Sequence, residues 1–358
     1  MNLDKYVRYV KSGFNVLLKP NVVNTHPIYI QIDPTSYCNL SCKSCGRDSI
    51  VDKPTHLTFD HFKKYIDIIK PFKVAMSGTG EPFMNPQLLE MVKYAKEKES
   101  SVLITTNFTL INEKKAEQIV ESGLDLLKIS IDATNRETYL KIRGKDYFDK
   151  ILESVDLINR IKDGMNSKTP YLRFQFVIQS ENYKEIPKLI DLAVSKRINA
   201  IYLQPLLLTY VEDRKEFLSK NLMAEELKEI LCESKLYADK KAISTNIDNL
   251  ISNFDLYFHG QKDGDAGKRI CIMPWFSLFL SADGFIRPCC SFGTSVGDLG
   301  NILQEDFKEI WNNDKYLRFR KLIKKGKAPF PVCKDCIPPT LENLFSAKNV
   351  LPGFLKKN

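Results

Sequence analysis

An α/β fold, a partial TIM-like barrel of six β–α units carrying a small cysteine-bearing C-terminal domain, is what this sequence predicts. Two observations point to it. From about residue 27 to 206, short apolar β-like runs alternate with amphipathic helical stretches. Beyond a Gly/Asp break the pattern changes to a hairpin, a helix and grouped cysteines. Strands alternating with helices imply a parallel sheet with helices outside it. A chain of 358 residues is long enough for such a core and a second domain. Whether six units close or leave an open barrel cannot be read from periodicity.

Residues 1–26 place Leu3, Tyr6, Val7, Val10, Phe14, Leu17 and Leu18 at helical spacing, ended by Lys19-Pro20. We expect an amphipathic helix packed on the main domain. Lys5, Arg8 and Lys11 near its apolar stripe leave a membrane-surface helix as the alternative. The barrel is expected over 27–210, with strands at 28–32, 73–76, 102–106, 126–131, 172–178 and 201–204. Helices are expected between them at 59–69, 86–97, 113–122, 147–161 and 186–195. Residues 211–264 read as a helical connector with Leu218, Leu222, Leu227 and Leu231 among polar positions, and Cys232 falls on its apolar side as a buried thiol. Asp263-Gly264-Asp265-Ala266-Gly267 then breaks the chain. In the remaining domain, 265–358, Asp283-Gly284 between two apolar runs predicts a hairpin, and 306–324 reads as one helix.

Composition narrows the class. With 43% hydrophobic and 27% charged residues and no apolar run near the roughly 18 residues of a membrane span, a soluble, cytoplasmic protein is the expectation. The first twenty residues lack the apolar core of a signal peptide. The net charge of +9 comes mostly from lysines scattered through helices among Asp and Glu, so it reads as solvated faces rather than a nucleic-acid arm. The nine cysteines fall in groups, which argues for metal or cofactor ligation over a disulfide framework.

The first group, Cys38, Cys42 and Cys45, is spaced C-x3-C-x2-C directly after the first strand. Cubane iron–sulfur clusters usually take four thiolates, so three leave one iron open to a reacting ligand. Loops at the carboxyl ends of strands are where α/β proteins bind ligands, and the group lies on one. Zinc is the competing reading; His56 and His61 are poorly spaced to complete it. After the second strand comes Ser77-Gly78-Thr79-Gly80-Glu81-Pro82, where glycines allow close backbone approach and Glu81 can accept from an ammonium group. Asn107 ends the third strand; Ser130 and Asp132 end the fourth. The second cysteine group is Cys271, Cys289 or Cys290, Cys333 and Cys336. A zinc ribbon fits this group as well as a cluster does.

The chain resembles the radical S-adenosylmethionine enzymes, in the subgroup with a C-terminal SPASM or twitch domain, over about 27–206 and 265–340. The resemblance implies that Cys38, Cys42 and Cys45 hold a [4Fe–4S] cluster whose open iron takes the amine and carboxylate of S-adenosylmethionine. Gly78, Thr79, Gly80 and Glu81 correspond to the family's glycine-glycine-glutamate stretch, with Thr79 inserted, and would contact that amine. Asn107, Ser130 and Asp132 would line the carboxylate and ribose, and Arg143 is a candidate carboxylate partner. Reductive cleavage would yield a 5′-deoxyadenosyl radical that abstracts hydrogen from substrate. The resemblance also implies one auxiliary [4Fe–4S] cluster on Cys271, Cys289, Cys333 and Cys336, with Cys290 as a spare or alternate ligand.

A closed four-thiolate shell can accept an electron but offers no open iron. That favours oxidation or epimerisation of a carbohydrate or cyclitol-like small molecule, fed electrons by flavodoxin or ferredoxin. Arg173 and Gln204 are the candidate catalytic or substrate-contact residues. Maturation of a ribosomally made peptide is the alternative, and a zinc-ribbon nucleic-acid-binding protein is the reading from another class.

Overall fold

The computed structural model describes residues 3–47, 50–51, 53–206, 222–258, 271–290, 297–330 and 332–336. The chain divides into two compact units: residues 1–37, 50–102 and 261–358 form one, and residues 38–49 and 103–260 the other. The boundary expected at 264–265 and the first part of the connector, 211–221, lie outside the described residues.

In the first unit, β1 (Tyr29–Ile32) is central. It pairs in parallel on one side with β2 (Lys73–Met76) and on the other with β7 (Ser277–Leu280). β7 turns back into β8 (Phe285–Arg287), antiparallel, and β8 pairs with β9 (Gly300–Asn301). The Asp283-Gly284 hairpin therefore forms as expected, and it extends the sheet through β1. Ile30, Ile32, Val74 and Leu280 are fully buried, each contributing about 1.5–3 kcal/mol of apolar burial. Thr58 caps α2 (Phe59–Ile69), its hydroxyl accepting from His61 N–H, and α3 (Leu88–Glu97) follows β2.

The second unit alternates strand and helix. β3 (Ser101–Thr106) enters it at Leu103. β4 (Leu126–Ser130), β5 (Tyr171–Ile178) and β6 (Ala200–Pro205) follow, each parallel to its predecessor. α4 (Glu113–Glu121), α5 (Arg136–Arg143), α6 (Phe148–Gly164) and α7 (Ile186–Ser195) lie between them. Asn112 and Asn135 cap α4 and α5 through their side chains. Among the described residues, β6 and β9 come last in the strand order and each pairs with one named strand, so the sheet is not closed.

Three local readings change. The helix expected over 306–324 is two helices, Phe307–Trp311 and Asp314–Lys324. The break has a physical cause. Asn313 caps the second helix by accepting from Tyr316 N–H, and the Asn312 amide is tied to both backbone groups of Val23. Cys232, expected to be buried, is exposed on α8 (Leu222–Lys240), because the helix turns Leu227, Leu231, Ser234 and Ala238 inward instead. The N-terminal helix α1 (Leu3–Leu18) packs on its unit by its polar side. Ser12 and Val16 are buried, Lys5 pairs with Glu99 at 2.9 Å and Arg8 stands over the Phe72 ring at 4.6 Å. The apolar stripe expected to face the protein, Leu3, Tyr6, Val7, Val10, Phe14, Leu17 and Leu18, is exposed. No helix among the described residues is long and apolar enough to cross a membrane.

Candidate cofactor site

The cysteine loop leaves β1 at its carboxyl end, and two sets of contacts from its own unit shape it. Asn39 Nδ2 donates to Thr109 Oγ1 at 2.8 Å, while Asn107 Nδ2 donates to Asn39 Oδ1 at 2.9 Å. Lys145 Nζ donates to the Asn39 carbonyl at 3.1 Å, and Lys43 N–H to Ile142 O at 3.1 Å. Cys45 N–H closes a turn onto Cys42 O. Asn107, expected to line the cofactor, also braces the loop. Asn39, Thr109 and Lys145 were not singled out in the sequence; only the Asn between two cysteines offered a signal.

Arg143, Asp132 and Cys42 form a charged cluster behind the loop. The Arg143 guanidinium pairs with Asp132 Oδ2 and lies 3.7 Å from Cys42 Sγ. Asp132 sits in the left-handed region (φ 51°), and its Oδ1 accepts from Val177 N–H at 2.7 Å. Burial pushes the Asp132 carboxyl up, against the pull of Arg143. Burial likewise pushes the Cys42 thiol up, again opposed by Arg143. For Arg143 itself, burial is outweighed by Asp132 and Cys42, so the guanidinium stays charged. Asp132 and Arg143 thus meet each other, and Arg143 is placed to favour a thiolate on Cys42. Ser130 pairs in the ladder with Gln175 and is partly exposed.

The Ser77–Glu81 turn follows β2. Glu81 is buried, its N–H donating to Tyr37 O at 2.8 Å and its Oε1 accepting from Phe83 N–H at 3.1 Å. A Cβ on Gly80 would lie 2.2 Å from Thr35 O and 2.4 Å from Tyr37 O, and one on Gly78 would meet the Asp33 carboxyl at 2.3 Å. Both glycines are required by close approach to the segment that leads into Cys38. Asp33, absent from the expected site residues, accepts from Thr79 N–H at 3.2 Å and from its hydroxyl at 2.5 Å.

The second cysteine group lies within one unit. Cys271 precedes the Met273–Trp275 turn, Cys289 and Cys290 follow β8, Cys333 lies in the short helix Val332–Asp335, and Cys336 directly follows it. Burial pushes the Cys271 thiol up to about 12, with Cys336 and Cys333 adding to the rise, and burial also raises Cys333. Cys289 acts in the same sense on buried Tyr316, whereas Cys290 is exposed. Thiols buried this way are costly as free thiolates, and iron would supply the missing positive partner. Among the described residues no three of His, Cys, Asp and Glu gather closely enough for a single ion. The fit to clusters therefore rests on donor chemistry: three thiols on one loop with a cation at Cys42, and four more in the C-terminal part.

Arg173 is buried on β5 against the Tyr202 ring at 4.9 Å, while Gln204 stands opposite Val177 in the ladder. Four strand positions, roughly 13 Å, separate them.

A family model for the radical SAM superfamily matches residues 32–193, and one for an iron-sulfur cluster-binding domain, SPASM, matches 271–337. The Fe-coproporphyrin III synthase of Methanosarcina barkeri is 31% identical over 308 residues, 78% of this chain and 72% of that protein. This chain belongs to the radical SAM superfamily. A further relative, the tungsten-containing aldehyde ferredoxin oxidoreductase cofactor-modifying protein of Pyrococcus furiosus, is 22% identical and spans 86% of each chain. Among solved structures, Streptococcus suis SuiB bound to S-adenosylmethionine shares the fold with a TM-score of 0.65 at 18% identity, covering 93% of this chain and 77% of its own. As a radical SAM and SPASM protein, the chain is an enzyme that takes S-adenosylmethionine and iron–sulfur clusters, and the zinc-ribbon reading of the second cysteine group falls.

Proposed function

We propose that this radical SAM enzyme carries out a two-electron oxidation or epimerisation of a small polyhydroxylated molecule of the carbohydrate or cyclitol kind. The observation that supports it is the second cysteine group: four thiols that would close the shell of an auxiliary cluster, with Cys333 and Cys336 both within electrostatic reach of Cys271. When bound, S-adenosylmethionine and the two clusters supply the radical step and a sink for the substrate's second electron. Cys38, Cys42 and Cys45 hold the first cluster, with Arg143 favouring the thiolate at Cys42. Gly78, Thr79, Gly80 and Glu81 receive the methionyl amine, and Asn107, Ser130 and Asp132 serve the cofactor's carboxylate and ribose. Cys271, Cys289, Cys333 and Cys336 hold the second cluster. Arg173 and Gln204 contact substrate, and a flavodoxin or ferredoxin delivers the reducing electron.

A second reading is modification of a peptide. The fold shared with SuiB, which has also been solved with its precursor peptide SuiA, favours it. One anaerobic experiment separates these readings from their common root. Reconstituted enzyme should carry about eight irons per chain and release 5′-deoxyadenosine, and Cys42→Ala should abolish that release. Cys333→Ala should still cleave S-adenosylmethionine yet give no net oxidation of substrate. Unchanged product yield in that variant would remove the electron-acceptor role.

A further inference from the structure

Asp33 directly follows β1 and is 5% exposed, an acid placed where burial works against its charge. One oxygen, Oδ2, accepts both the N–H (3.2 Å) and the hydroxyl (2.5 Å) of Thr79. The other, Oδ1, is buried with no hydrogen-bond partner. Its carboxyl fills the room that a side chain at residue 78 would need, the built Cβ lying 2.3 Å from Cγ. The turn is thus moulded onto Asp33, and Thr79, the residue inserted into the glycine pair, is the one that grips it.

We propose that Asp33 is a positioning residue for S-adenosylmethionine: its carboxylate clasps Thr79 and holds the 77–81 turn in the shape that receives the methionyl amine. This rests on the assignment of that turn made above. Supporting groups around a ligand site commonly matter about as much as the contacts themselves.

Charge enters as well. Burial pushes the Asp33 carboxyl up to about 6, against the hydrogen bonds from Thr79 and the pull of the nearby Thr35 N–H. Of the charged groups packed around it, Arg287 on β8, itself paired with Asp298 at 2.8 Å, acts on it in the opposite sense to burial. Because the folded value lies above the ordinary 3.8, the folded chain binds this proton more tightly than the unfolded one. The ionised group therefore costs stability progressively as pH rises from about 4 to about 6, and in full above that. A group kept at a stability cost is expected to separate stability from binding when it is replaced.

The test uses anaerobically reconstituted enzyme, with S-adenosylmethionine as probe and affinity read from the spectral change of the reduced cluster between pH 5.5 and 8. Wild-type affinity should rise as pH passes about 6, and Asp33→Asn should flatten that profile. At pH 7.5 Asp33→Asn and Thr79→Val should each bind roughly tenfold more weakly, and the double variant no more weakly than either. Asp33→Asn should melt at or above the wild-type temperature at that pH, which a merely structural role would not allow. Wild-type affinity in both single variants, or losses that multiply in the double, would overturn the proposal. Wild-type protein that neither binds nor cleaves S-adenosylmethionine would overturn the parent assignment of the turn, and this proposal with it.

Discussion

At Gly80 a single methyl group is too much. Its Cβ would sit 2.2 Å from Thr35 O, a backbone atom that cannot step aside without moving the approach to Cys38. Gly80→Ala should therefore cost about 1–3 kcal/mol, the usual range for overpacking, and weaken S-adenosylmethionine binding along with it. Gly13 in α1 is the control, since a Cβ there meets nothing within 4 Å. Gly13→Ala should stabilise by about 0.5–1 kcal/mol through helix propensity. Calorimetry of the two variants side by side would check both signs, and a stabilising Gly80→Ala would contradict the contact. The cysteines and the glycines of this site were legible because their spacing is local. Asp33 and Asn39 were not, because what defines them is a partner 46 or 70 residues away along the chain.

The elements show the same division. Strands β1 to β6 and helices α2, α3, α4, α6 and α7 stood out by periodicity, and the Asp283-Gly284 hairpin by its turn residues, whereas the short helix α5 did not. That β7 would join β1 could not be read, since a ladder partner some 250 residues distant leaves no pattern in either strand. The break at Asn312-Asn313 was hidden by a helical apolar pattern that continues across it. Periodicity records which face is buried, but not where hydrogen bonding is interrupted. Asn313 caps the second of the two helices with its side chain. Asn313→Ala should cost about 1 kcal/mol and lower the melting temperature by about 2 °C. Asn313→Ser should recover most of that loss. Equal melting of all three proteins would show that the cap carries no weight.

For the whole molecule, the reading of an α/β sheet with a cluster-bearing C-terminal part was recoverable from sequence, but the orientation of α1 was not. Its amphipathic pattern marks two faces without saying which one the protein takes, and here the polar one is taken. The attachment of α1 therefore depends on an ion pair at Glu99, a cation over Phe72 and the Asn15–Thr25 hydrogen bond at 2.8 Å. The two charged contacts among these weaken in salt, whose screening length falls from about 10 Å at 0.1 M to about 3 Å at 1 M. Apolar packing would have strengthened instead under a salting-out ion such as sulfate. Ionic strength consequently becomes a handle on one end of this protein. Trypsin cutting at Lys5, Arg8 or Lys11 should be faster in 1 M than in 0.1 M sodium chloride, while the barrel fragment survives both; equal rates would mean that α1 is held by something other than charge.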